Sequence, residues 1–238
     1  MRTGQGRLTQ IFLGPDAAGQ IACPAALVPA PGQYLLAAST PDPGATSTAL
    51  SVRAGSAGTP MRHGGASPLP VPLFMAGPAT GGFLAAPPLP ETWLPGAPLS
   101  LRGPLGKGFN LPRTARRVAL VALGTSAARL LPLARLALGQ DASVLLVCDY
   151  SLESLPTEVE VLPTSARTEA AEWADYLAAD SEPGGLGDLR VLHGEALMQT
   201  PLPCGGLADC GACAVHLKRG YLLACKDGPV VDLKRLTG

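Results

Sequence analysis

The run Val118-Ala-Leu-Val-Ala-Leu123 decides the fold class, because six consecutive apolar residues suit a strand that is buried on both faces. Residues 143–148 (Ser-Val-Leu-Leu-Val-Cys) form a second run of this kind. Between them, residues 130–138 carry Pro132 early and are followed by Gly139, which predicts a helix with a proline in its first turn and a glycine stop. This strand–helix–strand order predicts an α/β domain with right-handed crossovers.

Three further segments extend the predicted α/β domain. Residues 158–162 and 189–192 are apolar enough for short strands that would complete a small parallel sheet. Residues 166–179 predict a helix, because apolar side chains recur there at helical spacing, namely at Ala170, Trp173, Ala174 and Leu177.

The region before this domain has a different composition. Residues 1–112 are rich in Pro and Gly and contain short apolar runs at 33–38, 71–76 and 98–102, which predict many short strands joined by turns, as in a barrel or sandwich. Residues 41–67 are small and polar and predict loops. We therefore predict three units, at residues 1–112, 113–193 and 194–238.

Composition excludes several classes of protein. The 238 residues include 18 Lys and Arg against 18 Asp and Glu, so the net charge is zero, and no basic run is present. This balance argues against a nucleic-acid partner. No apolar stretch reaches 18 residues, and the first residues lack the apolar centre of a signal peptide, so we expect no membrane span and a cytoplasmic location. No nucleophile or acid–base motif stands out, and we predict no catalytic residue.

The cysteines carry the chemical signal. Four of six lie within the last 35 residues, in the pattern Cys204-x5-Cys210-x2-Cys213-x11-Cys225. Four thiolates are the usual ligand set of an iron–sulfur cluster or a structural zinc. One short pair, a longer loop before it and a distant fourth cysteine favour a plant-type [2Fe–2S] cluster, with zinc as the alternative.

The residues around these cysteines support a cluster site. Residues 205–212 are nearly all small, so backbone N–H groups can approach the inorganic sulfides. The segments 214–217 and 221–224 flank Lys-Arg-Gly and predict a hairpin that returns Cys225 to the site. The other two cysteines, Cys23 and Cys148, are predicted to be buried apolar residues.

The tail resembles a known family. Residues 204–225 followed by Lys226-Asp-Gly-Pro-Val-Val-Asp232 resemble the iron–sulfur segment of the electron-transfer subunit of class 1B dihydroorotate dehydrogenase, one of the ferredoxin-reductase-like flavoproteins. Gly103-Pro-Leu-Gly-Lys-Gly-Phe109 resembles that family's linker between flavin barrel and nucleotide domain, and Pro31-Gly-Gln-Tyr34 its early strand. The resemblance implies a β-barrel plus α/β fold, a ferredoxin-reductase-like two-domain core with a small C-terminal [2Fe–2S] domain.

The resemblance also implies cofactors and a partner. FAD would bind the barrel and NAD(H) the α/β domain, and the cluster would pass electrons to an FMN-containing dihydroorotate-dehydrogenase-like catalytic subunit of pyrimidine biosynthesis, in a hetero-oligomer. The positions that match the family's nucleotide motifs are Gly77, Thr80, Gly103, Pro104, Leu105, Gly106 and Gly124.

The chain departs from the family at both nucleotide sites. Its counterpart of the flavin strand, residues 47–52, lacks the arginine that meets the pyrophosphate, and Arg53 follows out of register. In the second flavin motif, residues 77–80, an alanine replaces a glycine. Of the glycine run after the first α/β strand, Gly124 alone remains. Arg129 would supply a cation there, but the sequence predicts weak or absent NAD(H) binding.

These observations lead to an electron-transfer subunit, a component of an oxidoreductase rather than a self-sufficient enzyme. Two alternatives stay open: a cluster-only, ferredoxin-like adaptor that has lost FAD and NAD, and a zinc-stabilised scaffold with no redox role. A group of three cations near the cluster is either a solvated turn or an electrostatic docking surface for a partner. We call it the basic patch, and it consists of Lys218, Arg219 and Lys226.

Overall fold

The computed structural model describes residues 2–12, 18–39, 69–124, 126–150, 152, 155–187, 189 and 194–236. Six antiparallel strands close into a barrel in the order β1-β2-β5-β4-β3-β6. They are β1 (Arg2–Ile11), β2 (Gly19–Ala22), β3 (Tyr34–Ser39), β4 (Val71–Ala79), β5 (Gly82–Ala85) and β6 (Pro98–Leu105). Inward-facing side chains fill the barrel, among them Leu8, Ile21, Leu35, Phe83 and Leu101, all nearly inaccessible to solvent.

The second layer is a six-stranded sheet in the order β14-β11-β10-β7-β8-β9. Its strands are β7 (Arg117–Ala122), β8 (Ser143–Val147), β9 (Val159–Leu162), β10 (Tyr176–Ser181), β11 (Gly194–Met198) and β14 (Val230–Asp232). The first five run parallel, and β14 adds antiparallel to β11. The predicted barrel and α/β sheet are therefore confirmed.

Short helices and one hairpin complete the chain. Helix α1 (Leu131–Leu138) has Pro132 in its first turn and Gly139 at its C-cap, as predicted, and buries its leucine- and alanine-rich face against the sheet. The others are α2 (Arg167–Trp173) and α3 (Ala224–Asp227), and the hairpin consists of β12 (Ala214–His216) and β13 (Tyr221–Leu223).

One prediction about the sheet was wrong. The predicted helix over 166–179 ends at Trp173, and β10 begins at Tyr176. Every residue of β10 is buried, since the strand lies between β7 and β11, so this tertiary environment overrides the helical propensity of its alanines. Of the strand expected at 189–192, the structure describes Leu189 alone, which lies outside any strand, and β11 follows at Gly194–Met198.

Some predictions concern residues that the structure does not describe. The loop at 41–67, the flavin-strand counterpart at 47–52 and Arg53 lie outside the described residues. The three-unit division stays a prediction, and two strands beyond residue 193, β11 and β14, join the α/β sheet. In the described part of the chain, no helix has the length and apolar character needed to span a membrane.

Candidate iron–sulfur centre

The hairpin brings the last two cysteines together. Cys213 directly precedes β12 and Cys225 lies in α3, directly after β13. Because β12 and β13 pair Ala214 with Leu223, the next residues outward also face each other, and the Ala224 N–H donates to the Cys213 carbonyl at 3.0 Å. The hairpin around Lys-Arg-Gly is as the sequence predicted, and it brings two of the four candidate ligands together.

The four thiols form two pairs. Cys204 lies within hydrogen-bonding reach of the Cys210 thiol, and Cys225 within reach of the Cys213 thiol. The pairs adjoin, because the charge of Cys204 also acts on Cys225. A binuclear iron–sulfur cluster takes two thiolates on each iron, so this two-plus-two arrangement matches its ligand set.

The same arrangement differs from the site of a single ion. A structural zinc needs four donors around one point. Among the residues that the structure describes, no three or more His, Cys, Asp or Glu side chains gather where they could hold one metal ion. The metal content of the purified protein separates a bound zinc ion from a cluster.

Backbone groups of the loop point at the thiols. Burial raises the pKa of the Cys204 thiol, but hydrogen bonds from the Cys210 thiol and from the N–H groups of Asp209, Cys210 and Leu207 outweigh it, so the net pKa is lowered. Burial raises the pKa of Cys225, as do the contact with Cys213 and the charges of Cys213 and Cys204. The thiolate is the ligating form, so the loop is organised to stabilise negative charge on Cys204.

The loop between Cys204 and Cys210 is one residue longer than the plant-type C-x4-C spacing. Several residues of this loop have left-handed backbone angles, including Gly206 at φ +75° and the non-glycine Ala208 at φ +66°. Small residues at these turns let the chain curl with its N–H groups inward.

The two pairs differ in exposure. Cys213 and Cys225 are almost fully buried, whereas Cys204 is half-buried and Cys210 is exposed. Leu207, in the loop between them, exposes 59% of its surface. All three cations of the basic patch are exposed as well. The Cys204–Cys210 edge is thus the part of the site that an external partner can approach.

The predicted flavin residues of the 103–109 motif lie against the cysteine segment. A Cβ on Gly106, which has φ +75°, would come within 2.7 Å of the Gly228 carbonyl oxygen. The next N–H, that of Lys107, donates to the same oxygen at 2.5 Å. Gly103, Pro104, Leu105 and Gly106 therefore belong to the end of β6 and the turn that joins the barrel to the Cys225 segment. Their predicted contact with FAD stays a prediction.

The other predicted flavin residues lie elsewhere on the barrel. A Cβ on Gly77 would lie 2.9 Å from Nη1 of Arg135, which projects from α1 and donates to the Ala76 carbonyl at 3.0 Å. Thr80 is exposed in the turn between β4 and β5. The structure thus places Gly77 at the junction of barrel and α/β sheet.

A cavity of about 340 Å3 lies between the barrel, the sheet and the cysteine segment. Its walls are mostly apolar, and its polar groups come from Arg129, Gln199 and Thr200. Apolar side chains of β4 and β11, and of the segments that follow β5 and β11, line the rest, including Phe74, Ala86, Met198 and Leu202. The volume lies within the usual range of small-molecule sites.

An internal ion pair occupies the carboxyl end of the sheet. Arg129 Nε lies 2.7 Å from Asp180 Oδ2, and the two side chains are 11% and 0% exposed. Gln199 Nε2 donates to the other carboxylate oxygen at 2.8 Å. Burial raises the pKa of Asp180. The charge of Arg129 and these hydrogen bonds lower it, but the effect of burial is larger. Arg129 also lies over the Phe74 ring, 5.6 Å from its centre.

Gly124, the predicted nucleotide glycine, faces this network. A Cβ there would approach Gln199 Nε2 to 2.5 Å, so the space that a glycine leaves open is filled by a side chain of the protein. Sequence reasoning did not identify Asp180 or Gln199 as site residues. The signal that could have found them was an acidic residue inside an otherwise apolar buried strand, which requires a partner.

Comparison with known proteins agrees with this geometry. Residues 204–237 match the sequence profile of the iron-sulfur cluster binding domain of dihydroorotate dehydrogenase B. No curated protein matches the chain in sequence.

Solved structures share the fold. An NADH-dependent reduced ferredoxin-NADP oxidoreductase, described in a study of flavin-based electron bifurcation, aligns with a TM-score of 0.70 and 16% identity over 98% of this chain and 89% of that one. A ferredoxin reductase in carbazole 1,9a-dioxygenase aligns with a TM-score of 0.53 and 14% identity, over 78% and 62%. A siderophore utilization protein from T. fusca gives a TM-score of 0.50 and 14% identity, over 83% and 93%.

At these identities the structural likeness shows the fold, and the sequence profile shows the nature of the tail. The predicted resemblance is confirmed to that extent. Residues 204–237 form an iron–sulfur cluster binding domain of the dihydroorotate dehydrogenase B type, on a chain with the fold of ferredoxin reductases.

Proposed function

We propose that this chain is an electron-transfer subunit that carries one [2Fe–2S] cluster on Cys204, Cys210, Cys213 and Cys225. The observation that carries the proposal is that the segment holding the four thiols matches the profile of an iron-sulfur cluster binding domain, while its hairpin brings Cys213 and Cys225 together. A bound cluster of this type accepts and releases one electron and makes or breaks no substrate bond.

The protein's own residues define how such a centre is held. The buried pair, Cys213 and Cys225, anchors one side within the fold, and the Cys204–Cys210 side faces the surface. Backbone N–H groups of the loop offset the negative charge of the thiolates, which is a main determinant of cluster potential. The geometry therefore separates a buried side, which holds the cluster in the fold, from an exposed side, through which electrons can be exchanged.

We propose that FAD binds with its ring system in the 340 Å3 cavity. Apolar walls with a few polar groups suit a planar aromatic ring with a polar edge. Phe74 lines this cavity and contacts Tyr34, whose hydroxyl reaches the cysteine segment, so the cavity and the cluster site share a wall. FAD, when bound, would convert two-electron transfer into single-electron transfer.

Binding of NAD(H) is not supported. A dinucleotide site at this edge of a sheet needs open backbone N–H groups and a glycine-rich turn. Here Arg129 forms an ion pair with Asp180, Gln199 donates a hydrogen bond to the same carboxylate, and Gln199 also fills the space beside Gly124. We therefore propose that electrons exchange with protein partners rather than with a nicotinamide.

For the partner we propose an FMN-containing catalytic subunit similar to dihydroorotate dehydrogenase, in a hetero-oligomer that serves pyrimidine biosynthesis in the cytoplasm. The support is the profile match of the tail together with the exposed Leu207 between the accessible thiols and the exposed cations of the basic patch on the hairpin turn and in α3. Apolar contact surrounded by charge is typical of transient electron-transfer interfaces.

One observation favours a second candidate, a cluster-only adaptor without FAD. Arg135 reaches from α1 to β4, donates to the Ala76 carbonyl and fills the space beside Gly77, so the gap that this glycine leaves is occupied by the protein itself. Flavin analysis decides between the candidates. Protein purified under anaerobic conditions is denatured, and released FAD is quantified against iron and acid-labile sulfide: one FAD per cluster supports the flavoprotein, and a cluster without flavin supports the adaptor.

A further inference from the structure

We propose that Tyr34, a residue of the barrel, is a positioning residue for the cluster and fixes the Cys225 side of the site. The inference rests on the proposed cluster and goes beyond it, because it assigns part of the site to a strand that lies 191 residues away in sequence. It concerns the retention and reduction potential of the cluster rather than its ligands.

The contact is direct. Tyr34 is the first residue of β3 and is fully buried. Its hydroxyl donates to the Cys225 carbonyl oxygen at 3.0 Å. A Cβ on Gly206 would lie 3.2 Å from the same hydroxyl oxygen. One phenol therefore touches both the loop that follows Cys204 and the segment that carries Cys225.

A neighbouring turn of the barrel holds the same segment. The Lys107 N–H donates to the Gly228 carbonyl, three residues beyond Cys225. Gly106 lies between that carbonyl and the Tyr34 ring, since a Cβ added to this glycine would be 3.1 Å from Tyr34 Cε1. The barrel thus binds the Cys225 segment at two points, one through a side chain and one through its backbone.

Removal of the hydroxyl has a definite consequence. Phenylalanine fills the same volume but leaves the buried Cys225 carbonyl without its donor, which destabilises the segment that presents the ligand. The O–H dipole also points its positive end toward that segment, and a positive dipole near a cluster favours the reduced state. Without the hydroxyl, the cluster is held less firmly and its potential falls.

The test compares three Tyr-to-Phe variants of the full chain, loaded with cluster. Tyr34→Phe removes the proposed contact. Tyr176→Phe removes another buried hydroxyl, which donates to Glu195 at 2.5 Å; Tyr176 packs in a different core cluster from Cys213 and Cys225. Tyr221→Phe removes an exposed hydroxyl on the cluster hairpin, where the residue is 67% exposed.

Two readouts are measured: the rate at which a chelator bleaches the cluster, and the midpoint potential from a redox titration. We expect Tyr34→Phe to lose its cluster about tenfold faster than wild type and to titrate at a lower potential, with both controls at the wild-type values. Equal bleaching rates in Tyr34→Phe and Tyr176→Phe, or a midpoint potential of Tyr34→Phe equal to that of wild type, would overturn this inference and leave the proposed function standing. A wild-type chain that holds no iron would overturn the proposed function and this inference with it.

Discussion

Replacement of Arg129 by methionine tests whether a buried ion pair occupies the carboxyl end of the sheet, where a dinucleotide would otherwise bind. The change keeps most of the side-chain volume and removes the charge that faces Asp180, a fully buried carboxylate 2.7 Å away. Breaking a buried pair on one side costs about 3–5 kcal/mol. We expect a value near the lower end, about 3 kcal/mol at a pH of about 7.5, because Gln199 keeps its hydrogen bond to the carboxylate.

The loss depends on pH in a defined direction. Burial already raises the pKa of Asp180, and without Arg129 the folded carboxyl holds its proton to a still higher pH than the unfolded chain does. The folded state then binds more protons in that window, so the stability of the variant falls as pH rises and recovers as pH is lowered. The slope approaches about 1.4 kcal/mol per pH unit.

Urea unfolding followed by tryptophan fluorescence measures this effect between about pH 5.5 and 7.5. The matched control is the double variant Arg129→Met/Asp180→Asn compared with Asp180→Asn alone: both lack the titrating carboxyl, so the difference between their stabilities should change little with pH. A single variant within about 0.5 kcal/mol of wild type, or one that gains no stability on acidification, would refute a buried, charge-paired Asp180.

Three further outcomes are expected. Gly106→Ala, which places a Cβ 2.7 Å from the Gly228 carbonyl at a left-handed φ, should weaken the junction of barrel and cysteine segment and lower cluster occupancy at least twofold in an iron assay; full occupancy would contradict the contact. Cys225→Ser should abolish the visible absorbance, whereas Cys148→Ser, at a buried thiol far from the hairpin, should retain it. Replacing the three cations of the basic patch with glutamine should slow reduction of the catalytic partner several-fold at low salt and little at high salt; a salt-independent effect would argue against electrostatic docking.

Much of the architecture could be predicted from local sequence. The apolar run at 118–123 and the helix bounded by Pro132 and Gly139 were predicted correctly, because burial on both faces and helix termination leave clear local patterns. The hairpin after Cys213 is confirmed for the same reason. The helix predicted across 166–179 failed at Tyr176, where the sheet on either side determines the conformation.

In the site, too, features with a local sequence pattern could be predicted and those that depend on tertiary packing could not. Cysteine spacing alone predicts the four ligands, since the loop that carries them is short. The contact of Tyr34 with Cys225 and that of Arg129 with Asp180 join residues 191 and 51 positions apart. Such contacts depend on how the barrel and sheet pack together, and a single sequence holds no local signal for them.

The proposed function depends on the four C-terminal thiols holding a [2Fe–2S] cluster. The absorbance spectrum of anaerobically purified protein, together with its iron, acid-labile sulfide and zinc content, addresses this without any assumption about partners. We predict a brown protein with two irons and two sulfides per chain, whose visible bands bleach on reduction. A colourless protein with one zinc per chain and no labile sulfide would show that the thiols serve a structural ion instead.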